Sequence, residues 1–564
     1  MIYIVVFIAL FMFSCGASQD GGYDFVKDGE EDSDGYNEIL CNENSVLYQK
    51  TKIPEEVVVN VPAAYSKNYD CFPLPEPENG ELVLGKGCFS GCIKVENKLR
   101  ISGAGAENTV LVCNDEENQA VIEVLPDARL VLENISLSGM VRCIFAADGS
   151  KTVVEKSVLS HCRKGGINIC PDETGCRADL SVADSFIGDI DEAESGISYG
   201  ISFSNGSLDV SGSEIAGVNS FGIAVWGDSG EHNEINVENS MITGVYGGLR
   251  SYEGHGFYAE NSADIVIKNS SVSDTATSFV FVSSESDEIN LQLVDFNAKN
   301  MLETPEEQGG LVLDGKVNGY FEKVLVENCR GNGVFSRGAL LYAEDLTIKS
   351  VFSDGNGSNG FGLQLVDGSE SFIKNLSVVS AEKAGVLLDG NCSADIEEFE
   401  ILSTKSDRYT GEYGVGAGVQ EGAELSMKNG IVADNREAGF LVLDSEISLE
   451  NVEVRNTKSR ECVKDRSCFF APEVDFSDGI SLYSRSLLRF DSVTLAQNRN
   501  GLNIEDSEVL GSGKKEIFFN RNVTAVNAWD IGDFNKLEKN LENSQFCGNE
   551  SVFTADLQPV RDSF

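Results

Sequence analysis

The stretch "SLENVEV", residues 448 to 454, contains the pattern that decides the fold of this chain. Leu449 and Val454 are apolar, a short polar corner of Glu450 and Asn451 follows Leu449, and Asn451 occupies the fourth position. Neighbouring residues of a strand point to opposite faces, so Leu449 and Val454 are predicted to face inward and Glu450 to face solvent. Because asparagine tolerates the left-handed conformation of a tight corner, the pattern predicts two short strands joined at Asn451.

The same seven-residue pattern recurs along most of the chain. There are fourteen copies, one of them blurred, and successive copies are mostly 22 to 31 residues apart. They lie at 131–137, 153–159, 181–187, 209–215, 236–242, 266–272, 291–296, 320–326, 342–348, 372–378, 395–401, 426–432, 448–454 and 489–495. In the copy at 236–242 the alternation places Val237 and Ile242 inward and Glu238 outward. Recurrence at this spacing is typical of a solenoid with about 22 residues in its shortest coil and loops in the longer ones.

A second phrase, glycine followed by an apolar, a variable and an apolar residue, recurs in the gaps between the copies. Examples are found at 200–203, 222–225, 310–313, 362–365, 385–388, 439–442, 479–482 and 501–504. The alternation predicts a further short strand in each coil. The glycine indicates a position where the backbone needs a positive φ or a close approach, and 57 glycines against 10 prolines suit a chain of many tight turns.

Short strands separated by corners at this coil length resemble the right-handed parallel β-helix of the pectate-lyase-like superfamily and of its bacterial surface relatives. The resemblance covers residues 92–510 and implies an all-β solenoid with capping segments at both ends. Residues 41–91 are then a cysteine-containing N-terminal cap, and 511–564 a C-terminal cap. The superfamily includes lyases, hydrolases, epimerases and inert surface proteins, so the resemblance implies a fold and leaves the activity open.

Two columns of side chains follow if every coil stacks on the next. The fourth position holds asparagine or aspartate in eight copies, and the resemblance implies ladders of such residues: Asn134, Asp184, Asn239, Asn269, Asp345, Asn375, Asn429 and Asn451. The third position of the later copies carries charges: Glu322, Glu344, Lys374, Glu397, Lys428 and Glu450. Four of these five successive steps place an acid beside a base, an order that helps to fix the register.

The N-terminus predicts export. Met1 to Phe13 is uncharged and, at thirteen residues, too short to cross a bilayer core, which needs about 20 residues of helix. Met12, Phe13, Ser14 and Cys15 resemble the signal of bacterial lipoproteins, which implies a lipid-modified Cys15 and a location in the bacterial cell envelope. The alternative is a secretory signal cut near Ala17 and a secreted protein. Residues 16–40 are predicted to be an acidic flexible tether.

The cysteines indicate an oxidising compartment. Removing Cys15 from the fifteen cysteines leaves fourteen, an even number that is compatible with full disulfide pairing. Short spacings predict three local bridges, which are Cys88–Cys92, Cys170–Cys176 and Cys462–Cys468. A zinc site is disfavoured, because the chain has only three histidines and none lies near these pairs.

The net charge restricts the possible partners. At −48, with a pI near 4.3, the chain lacks the clustered bases that nucleic-acid binding requires. An anionic membrane surface is disfavoured for the same reason, so contact with a membrane is expected only through the lipid anchor. Basic or uncharged partners, such as neutral glycans, remain compatible with this charge. The oligomeric state is not determined by the sequence.

One stretch suggests catalysis. "GLRSYEGHG", residues 248–256, holds Arg250, Glu253 and His255 and contains the Gly-His-Gly of pectin-hydrolysing relatives. Their paired aspartates are missing, since the chain has no Asp-Asp pair. A polysaccharide lyase needs only a base near a bound calcium ion, and Asp228 and Glu231 are the candidate calcium ligands from the preceding coil. No further cofactor is indicated.

Long inserts between the repeats favour binding instead, because loops on a rigid scaffold carry specificity. Tyr409 and Tyr413 lie in one insert, and Phe469 and Phe470 in another. These rings are candidates for stacking on sugars, with packing of the loop bases as the equal alternative. Two functions therefore remain. The favoured one is a surface scaffold or glycan-binding protein without enzymatic activity, and the other is a calcium-assisted polysaccharide lyase.

Overall fold

The computed structural model describes residues 71–554 except for short gaps. The gaps are 116, 140, 164, 171–174, 191–196, 229–231, 248–253, 302–308, 355–356, 412, 460–476, 512–516, 530 and 532–533. Cys15, the tether and most of the predicted N-terminal cap therefore lie outside the described residues. No helix in the described part is long and apolar enough to cross a membrane.

The described chain is almost entirely strand. In its first part the strands are β1 Phe72–Pro73, β2 Glu81–Val83, β3 Gly87–Ser90, β4 Ile93–Val95, β5 Lys98–Ser102, β6 Thr109–Cys113, β7 Ala120–Val124, β8 Arg129–Glu133, β9 Ser136–Gly139, β10 Arg142–Ala146, β11 Lys151–Glu155, β12 Val158–Cys162, β13 Ile167–Ile169, β14 Ala178–Ala183, β15 Phe186–Ile190, β16 Ser198–Phe203, β17 Gly206–Ser211, β18 Glu214–Trp226, β19 Asn233–Glu238, β20 Met241–Tyr246, β21 His255–Glu260, β22 Ala263–Lys268 and β23 Ser271–Thr275.

The later strands run through corners and are longer. They are β24 Val280–Met301, β25 Gly309–Arg330, β26 Asn332–Arg337, β27 Leu340–Phe352, β28 Phe361–Val366, β29 Glu370–Ala381, β30 Ala384–Asp389, β31 Ser393–Leu402, β32 Val415–Gln420, β33 Glu424–Ala433, β34 Glu437–Leu443, β35 Glu446–Arg455, β36 Ser477–Tyr483, β37 Leu487–Ala496, β38 Asn500–Glu505, β39 Glu508–Gly511, β40 Ile517–Asn520, β41 Thr524–Trp529, β42 Gln545–Cys547 and β43 Ser551–Thr554. A short helix, α1 Phe534–Asn540, precedes the last two strands.

The strands stack in three parallel columns, as the repeat predicts, and the fold is a right-handed parallel β-helix. The first half of each seven-residue copy lies in one column, the second half in the next, and the glycine phrase in the third; β27 on β29 and β28 on β30 are examples. Parallel pairing begins before residue 92, where β2 pairs with β5, and extends past 510 to β41 with β43. The stack is therefore longer than the repeat pattern indicates.

The interior is the apolar core that the alternation predicts. Val237, Ile242, Leu449 and Val454 are at most 3% exposed, whereas Glu450 is exposed and Glu238 is half-buried. The recurring glycines permit close approach of successive coils at negative φ. A Cβ at Gly222 would lie 2.5 Å from the carbonyl oxygen of Gly256, and no other residue type fits there.

The corner residues of the fourth position adopt the predicted left-handed conformation. All eight have φ between 47° and 59°. Direct ladder contacts exist between neighbouring coils: Asn375 Nδ2 donates to Asp345 Oδ1 at 2.8 Å, and Asn451 Nδ2 donates to Asn429 Oδ1 at 2.9 Å. These bonds link the corners of neighbouring coils along the stack.

Four disulfides connect the first part of the solenoid: Cys71–Cys88, Cys92–Cys113, Cys143–Cys162 and Cys170–Cys176. The predicted Cys88–Cys92 bridge is wrong. Each of these cysteines pairs with a residue about one coil away, because β1, β3 and β6 lie side by side and bring those residues together. Cys462 and Cys468 lie outside the described residues. The four bridges indicate an oxidising, extracytoplasmic environment.

Full pairing of the remaining cysteines is also wrong. Cys329, Cys392 and Cys547 are free. Cys329 and Cys392 are buried in the core, and burial raises the pKa of Cys329 to about 12 and that of Cys392 to about 11. These two thiols behave as small apolar core residues, whereas Cys547 is exposed.

Candidate functional site

A shallow groove of about 700 Å³ runs along one outer face of the solenoid. Its floor is formed by the first and third positions of successive copies, which both point outward on either side of a buried second residue. Strands β24, β25, β27, β29, β31 and β33 each contribute to it. The lining residues at the first position are Gln292, Tyr320, Tyr342, Phe372, Asp395 and Ser426, and those at the third position are Val294, Glu322, Glu344, Lys374, Glu397 and Lys428.

Three aromatic side chains form a ladder within this groove. The ring centroids of Tyr320 and Tyr342 are 5.5 Å apart, and those of Tyr342 and Phe372 are 5.2 Å apart, with interplanar angles of 6° and 14°. The rings are 40%, 39% and 42% exposed, although large apolar side chains are normally buried. The register explains the stacking, since Tyr320, Tyr342 and Phe372 are Cα partners on adjacent coils.

The ladder ends in a step at its C-terminal side. The register partner of Phe372 on the next coil is Asp395, and Ser426 follows on the coil after that. Both side chains are much shorter than a ring, so the face of Phe372 that points away from Tyr342 borders the groove. The interior ring, Tyr342, has an aromatic neighbour on each side and is as exposed as the two terminal rings.

The third position forms a charged column beside the ladder, and the predicted register is confirmed. Glu344 pairs with Lys374, Lys374 with Glu397, and Glu397 with Lys428 along the stack. Lys428 Nζ lies 3.4 Å from Glu450 Oε2 at the end of the column. Glu344, Lys374 and Glu397 are exposed and form no ion pair with another described residue, so their charged groups are available to a ligand.

The predicted catalytic cluster is not supported as an open site. His255 is 2% exposed and lies inside a group of aromatic rings, with centroids 5.7 Å from Phe221 and 5.2 Å from Phe281. A side chain enclosed in this way cannot reach a polysaccharide in solution. Arg250 and Glu253 lie outside the described residues. His255 is therefore part of the packing between β18, β21 and β24.

The predicted calcium ligands do not form a described site either. Asp228 Oδ2 accepts hydrogen bonds from Asn205 Nδ2 at 2.9 Å and from the Gly175 backbone N–H at 2.8 Å. The second bond joins Asp228 to Gly175, the residue before the disulfide-bonded Cys176. Glu231 lies outside the described residues, and the described part contains no group of three metal-ligating side chains.

The predicted loop aromatics are only partly described. Tyr409 and Tyr413 are half-buried, and Lys383 Nζ lies 5.3 Å from the ring centroid of Tyr413. Phe469 and Phe470 lie outside the described residues. The ring of Tyr413 thus contacts Lys383 of the preceding coil.

An ion pair between an exposed arginine and a buried glutamate anchors the same insert. Arg408 Nη2 lies 2.7 Å from Glu382 Oε1, and Glu382 Oε2 accepts a 2.8 Å hydrogen bond from Ser353 Oγ. Asp407, 1% exposed, accepts from the backbone N–H groups of Tyr409 and Thr410. Each of these charged groups contacts the insert or the coil beneath it, so the network has a structural role.

The groove is the feature that sequence reasoning missed. Its signal was present in three consecutive copies, "YFEKVLV", "YAEDLTI" and "FIKNLSV", each of which begins with an aromatic residue at an outward position. Reading each copy separately identifies an exposed ring. Only the comparison of first positions across copies identifies a ladder.

Comparison with known proteins agrees with the fold. The family described as "Right handed beta helix region" matches residues 292–459, which include the groove. Similar solved structures include pectate lyase Pel9A (12% identity, 54% of this chain and 74% of that one, TM-score 0.25) and the A-module of mannuronan C-5 epimerase AlgE4 of Azotobacter vinelandii (10%, 85% and 89%, 0.23). The GH87 α-1,3-glucanase of Streptomyces thermodiastaticus is another (9%, 85% and 65%, 0.23). No curated protein sequence matches the chain.

Proposed function

We propose that this protein is an exported β-helix that binds glycans in the groove between the aromatic ladder and the charged column. The observation that carries the proposal is the ladder itself. Tyr320, Tyr342 and Phe372 are each about 40% exposed and stand next to one another on one face. Exposed apolar groups gathered in one place, rather than scattered singly, mark interaction sites.

The chemistry of the groove suits a sugar. One face of a pyranose ring carries C–H groups that pack on an aromatic face, while its hydroxyl groups seek hydrogen-bond partners at the rim. Glu344, Lys374 and Glu397 supply acceptors and donors beside the rings, and none of them is committed to an ion pair with another described residue. The apolar floor and the polar rim together match the general composition of ligand sites.

The proposal also includes the location of the protein at the cell envelope. The four disulfides support passage through an oxidising compartment. The sequence around Cys15 supports lipid attachment at the cell envelope, with the acidic tether between the membrane and the solenoid. A rigid scaffold held away from the surface would present the groove to glycans outside the membrane.

A glycan array followed by titration calorimetry tests the proposal. We expect Phe372→Ala to lower the affinity for the bound glycan by about tenfold, because one aromatic contact contributes on the order of 1 kcal/mol beyond its buried area. Tyr246→Ala is the matched control, since Tyr246 is an exposed aromatic residue on β20, outside the groove. Absence of binding on the array, or equal losses in the two variants, would contradict the proposal.

A further inference from the structure

The chain carries a modification motif that the proposed function does not use. Asparagine, any residue except proline, and then serine or threonine form the acceptor motif for N-linked glycans in exported proteins. The motif occurs eight times, at 134–136, 205–207, 269–271, 356–358, 375–377, 391–393, 522–524 and 549–551. The four disulfides support export, which is the condition under which this motif has meaning. A folded copy can accept a glycan where its asparagine amide and its hydroxyl group are both accessible.

Most copies fail this condition. Four of them hold the amide in hydrogen bonds of 2.8–3.2 Å to a side chain or a backbone carbonyl oxygen; these are Asn205, Asn375, Asn522 and Asn549. In the copy at 134–136 the hydroxyl group is enclosed, because Ser136 is 1% exposed and donates to the Ala106 carbonyl oxygen at 2.6 Å. Asn356 lies outside the described residues. The described copies that remain are those at 269–271 and 391–393.

Asn391 presents its amide to solvent. It is exposed, follows β30 in the turn to β31 with φ of 52°, and its side chain has no hydrogen-bond partner in the part of the chain that the structure describes. Cys392 points inward, is 2% exposed and donates from Sγ to the Leu365 carbonyl oxygen at 3.3 Å. Ser393 begins β31, is half-buried, and has no side-chain partner among the described residues. The amide and the hydroxyl group therefore lie on the outer side, with the cysteine in the core between them.

The coils on both sides of Asn391 leave room around its amide. Turns of equal length align Asn391 with Gly368 on the preceding coil and with Gly422 on the following one. A Cβ at Gly368 would meet nothing within 4 Å, and a Cβ at Gly422 would lie 2.8 Å from Asn391 Oδ1. A side chain at residue 422 would thus crowd the amide, and glycine keeps the space open.

Asn269 lacks this space although it is exposed. It belongs to the corner ladder, where its register neighbours are Asn239 and Asp295. Both neighbours carry side chains at the coil spacing of about 4.8 Å, so a sugar attached to Asn269 would displace one of them. Of the two described copies with an accessible amide, the copy at Asn391 has the more open surroundings.

We propose that Asn391 carries an N-linked glycan on the exported protein. The donor class is a glycan joined through its C1 atom to the diphosphate of a polyprenyl lipid. During transfer the bond between C1 and the diphosphate oxygen breaks, a bond forms between C1 and Nδ2 of Asn391, and the polyprenyl diphosphate leaves with one Nδ2 proton. The glycan stands on the turn that leads into β31, ahead of Asp395 and Glu397, which line the groove.

Mass spectrometry of the full protein, isolated from the organism that makes it, tests the proposal. Denaturation before digestion removes any glycan that the groove holds without a covalent bond. Trypsin cleaves after Lys383 and Lys405, so Asn391 lies in the peptide 384–405. We expect this peptide to carry a glycan on Asn391. An unmodified peptide 384–405 as the sole form, or a glycan on Asn269 and none on Asn391, would overturn the assignment.

Ser393→Ala, produced in the same organism, separates the motif from the asparagine alone. It keeps Asn391 and the left-handed turn but removes the hydroxyl group of the motif, so we expect complete loss of the glycosylated peptide. Ser377→Ala is the matched control, since it removes the same group from the copy at Asn375 and should leave the glycan on peptide 384–405 unchanged. Persistence of the glycan in Ser393→Ala would contradict N-linked transfer to this motif. Circular dichroism establishes that both variants are folded.

Discussion

Tyr342 and Phe372 stack with their ring centroids 5.2 Å apart although 29 residues separate them in the chain. The contact arises because their Cα atoms are register partners in β27 and β29. The intervening residues form the rest of one coil and do not disturb the pairing. Side-chain columns in this protein are therefore determined by the register of the coils and not by a constant sequence spacing.

The core requires apolar side chains at the second and seventh positions of each copy. Val454 is fully buried, so Val454→Asp is expected to lower the free energy of unfolding by several kcal/mol, about 3–5, through an unpaired buried charge. Glu450→Gln, at the exposed third position, is the control and should change it by less than about 0.5 kcal/mol. Denaturant unfolding followed by circular dichroism measures both, and similar losses would contradict the assigned faces.

The stability that a corner residue contributes can be divided into a backbone part and a hydrogen-bond part. Asn375 has φ of 56° and donates to Asp345 Oδ1 at 2.8 Å. Asn375→Ala should destabilise by about 1–2 kcal/mol, because alanine pays the cost of the left-handed conformation and loses the bond. Asn375→Gly should recover only the backbone part of this loss, because glycine adopts the left-handed conformation without strain but cannot form the side-chain hydrogen bond. If glycine and alanine destabilise equally, the corner conformation is not the source of the loss.

The buried thiols predict a dependence of stability on alkaline pH. Burial raises the pKa of Cys329 from 9.0 to about 12, so between these values the unfolded thiol loses its proton while the folded one keeps it. The unfolded state then binds fewer protons, and the free energy of unfolding falls as pH rises above about 9. Cys329→Ala should reduce this slope, and Cys392→Ala should also reduce it, because burial raises the pKa of Cys392 to about 11. An identical slope in all three proteins would refute the buried thiol as a cause.

Substitutions at His255 distinguish a role in packing from a role in catalysis. Its ring lies 5.7 Å from Phe221 and 5.2 Å from Phe281, so His255→Phe should preserve the folded state and His255→Asp should destabilise it by several kcal/mol. We expect no unsaturated products from an acidic glycan panel, with or without calcium. Release of such products by the wild type and their loss in His255→Phe would favour a lyase and oppose our choice.

The lipid anchor is tested in cells. Cys15→Ala should leave uncleaved precursor or release the protein into the medium, because the acidic tether has no other affinity for a membrane. Fractionation followed by immunoblotting measures the distribution, with Ala17→Ser as the control for the alternative cleavage site. A Cys15→Ala protein that is processed normally and stays in the membrane fraction would contradict the lipoprotein prediction.

The sequence by itself determined the strands and corners of a single coil. Alternation around Val237 and Leu449, the corner at Asn451 and the charge order from Glu344 to Lys428 all follow from local chemistry, because a strand turns its side chains to alternate faces and an asparagine tolerates a left-handed corner. The alternation and the corner are set within the seven residues of one copy, whereas the charge order is read across successive copies. The structure reproduces each of them.

Only the tertiary structure decided which residues of different coils meet. Cys88 bonds to Cys71 and not to nearby Cys92, His255 is enclosed by rings from neighbouring strands, and Tyr320, Tyr342 and Phe372 join into one surface. The steps between copies vary in length because the loops vary, so sequence distance does not measure spatial distance across a coil. Hydrogen bonding between parallel strands fixes the spacing of neighbouring coils at about 4.8 Å, and this long-range pairing builds the groove.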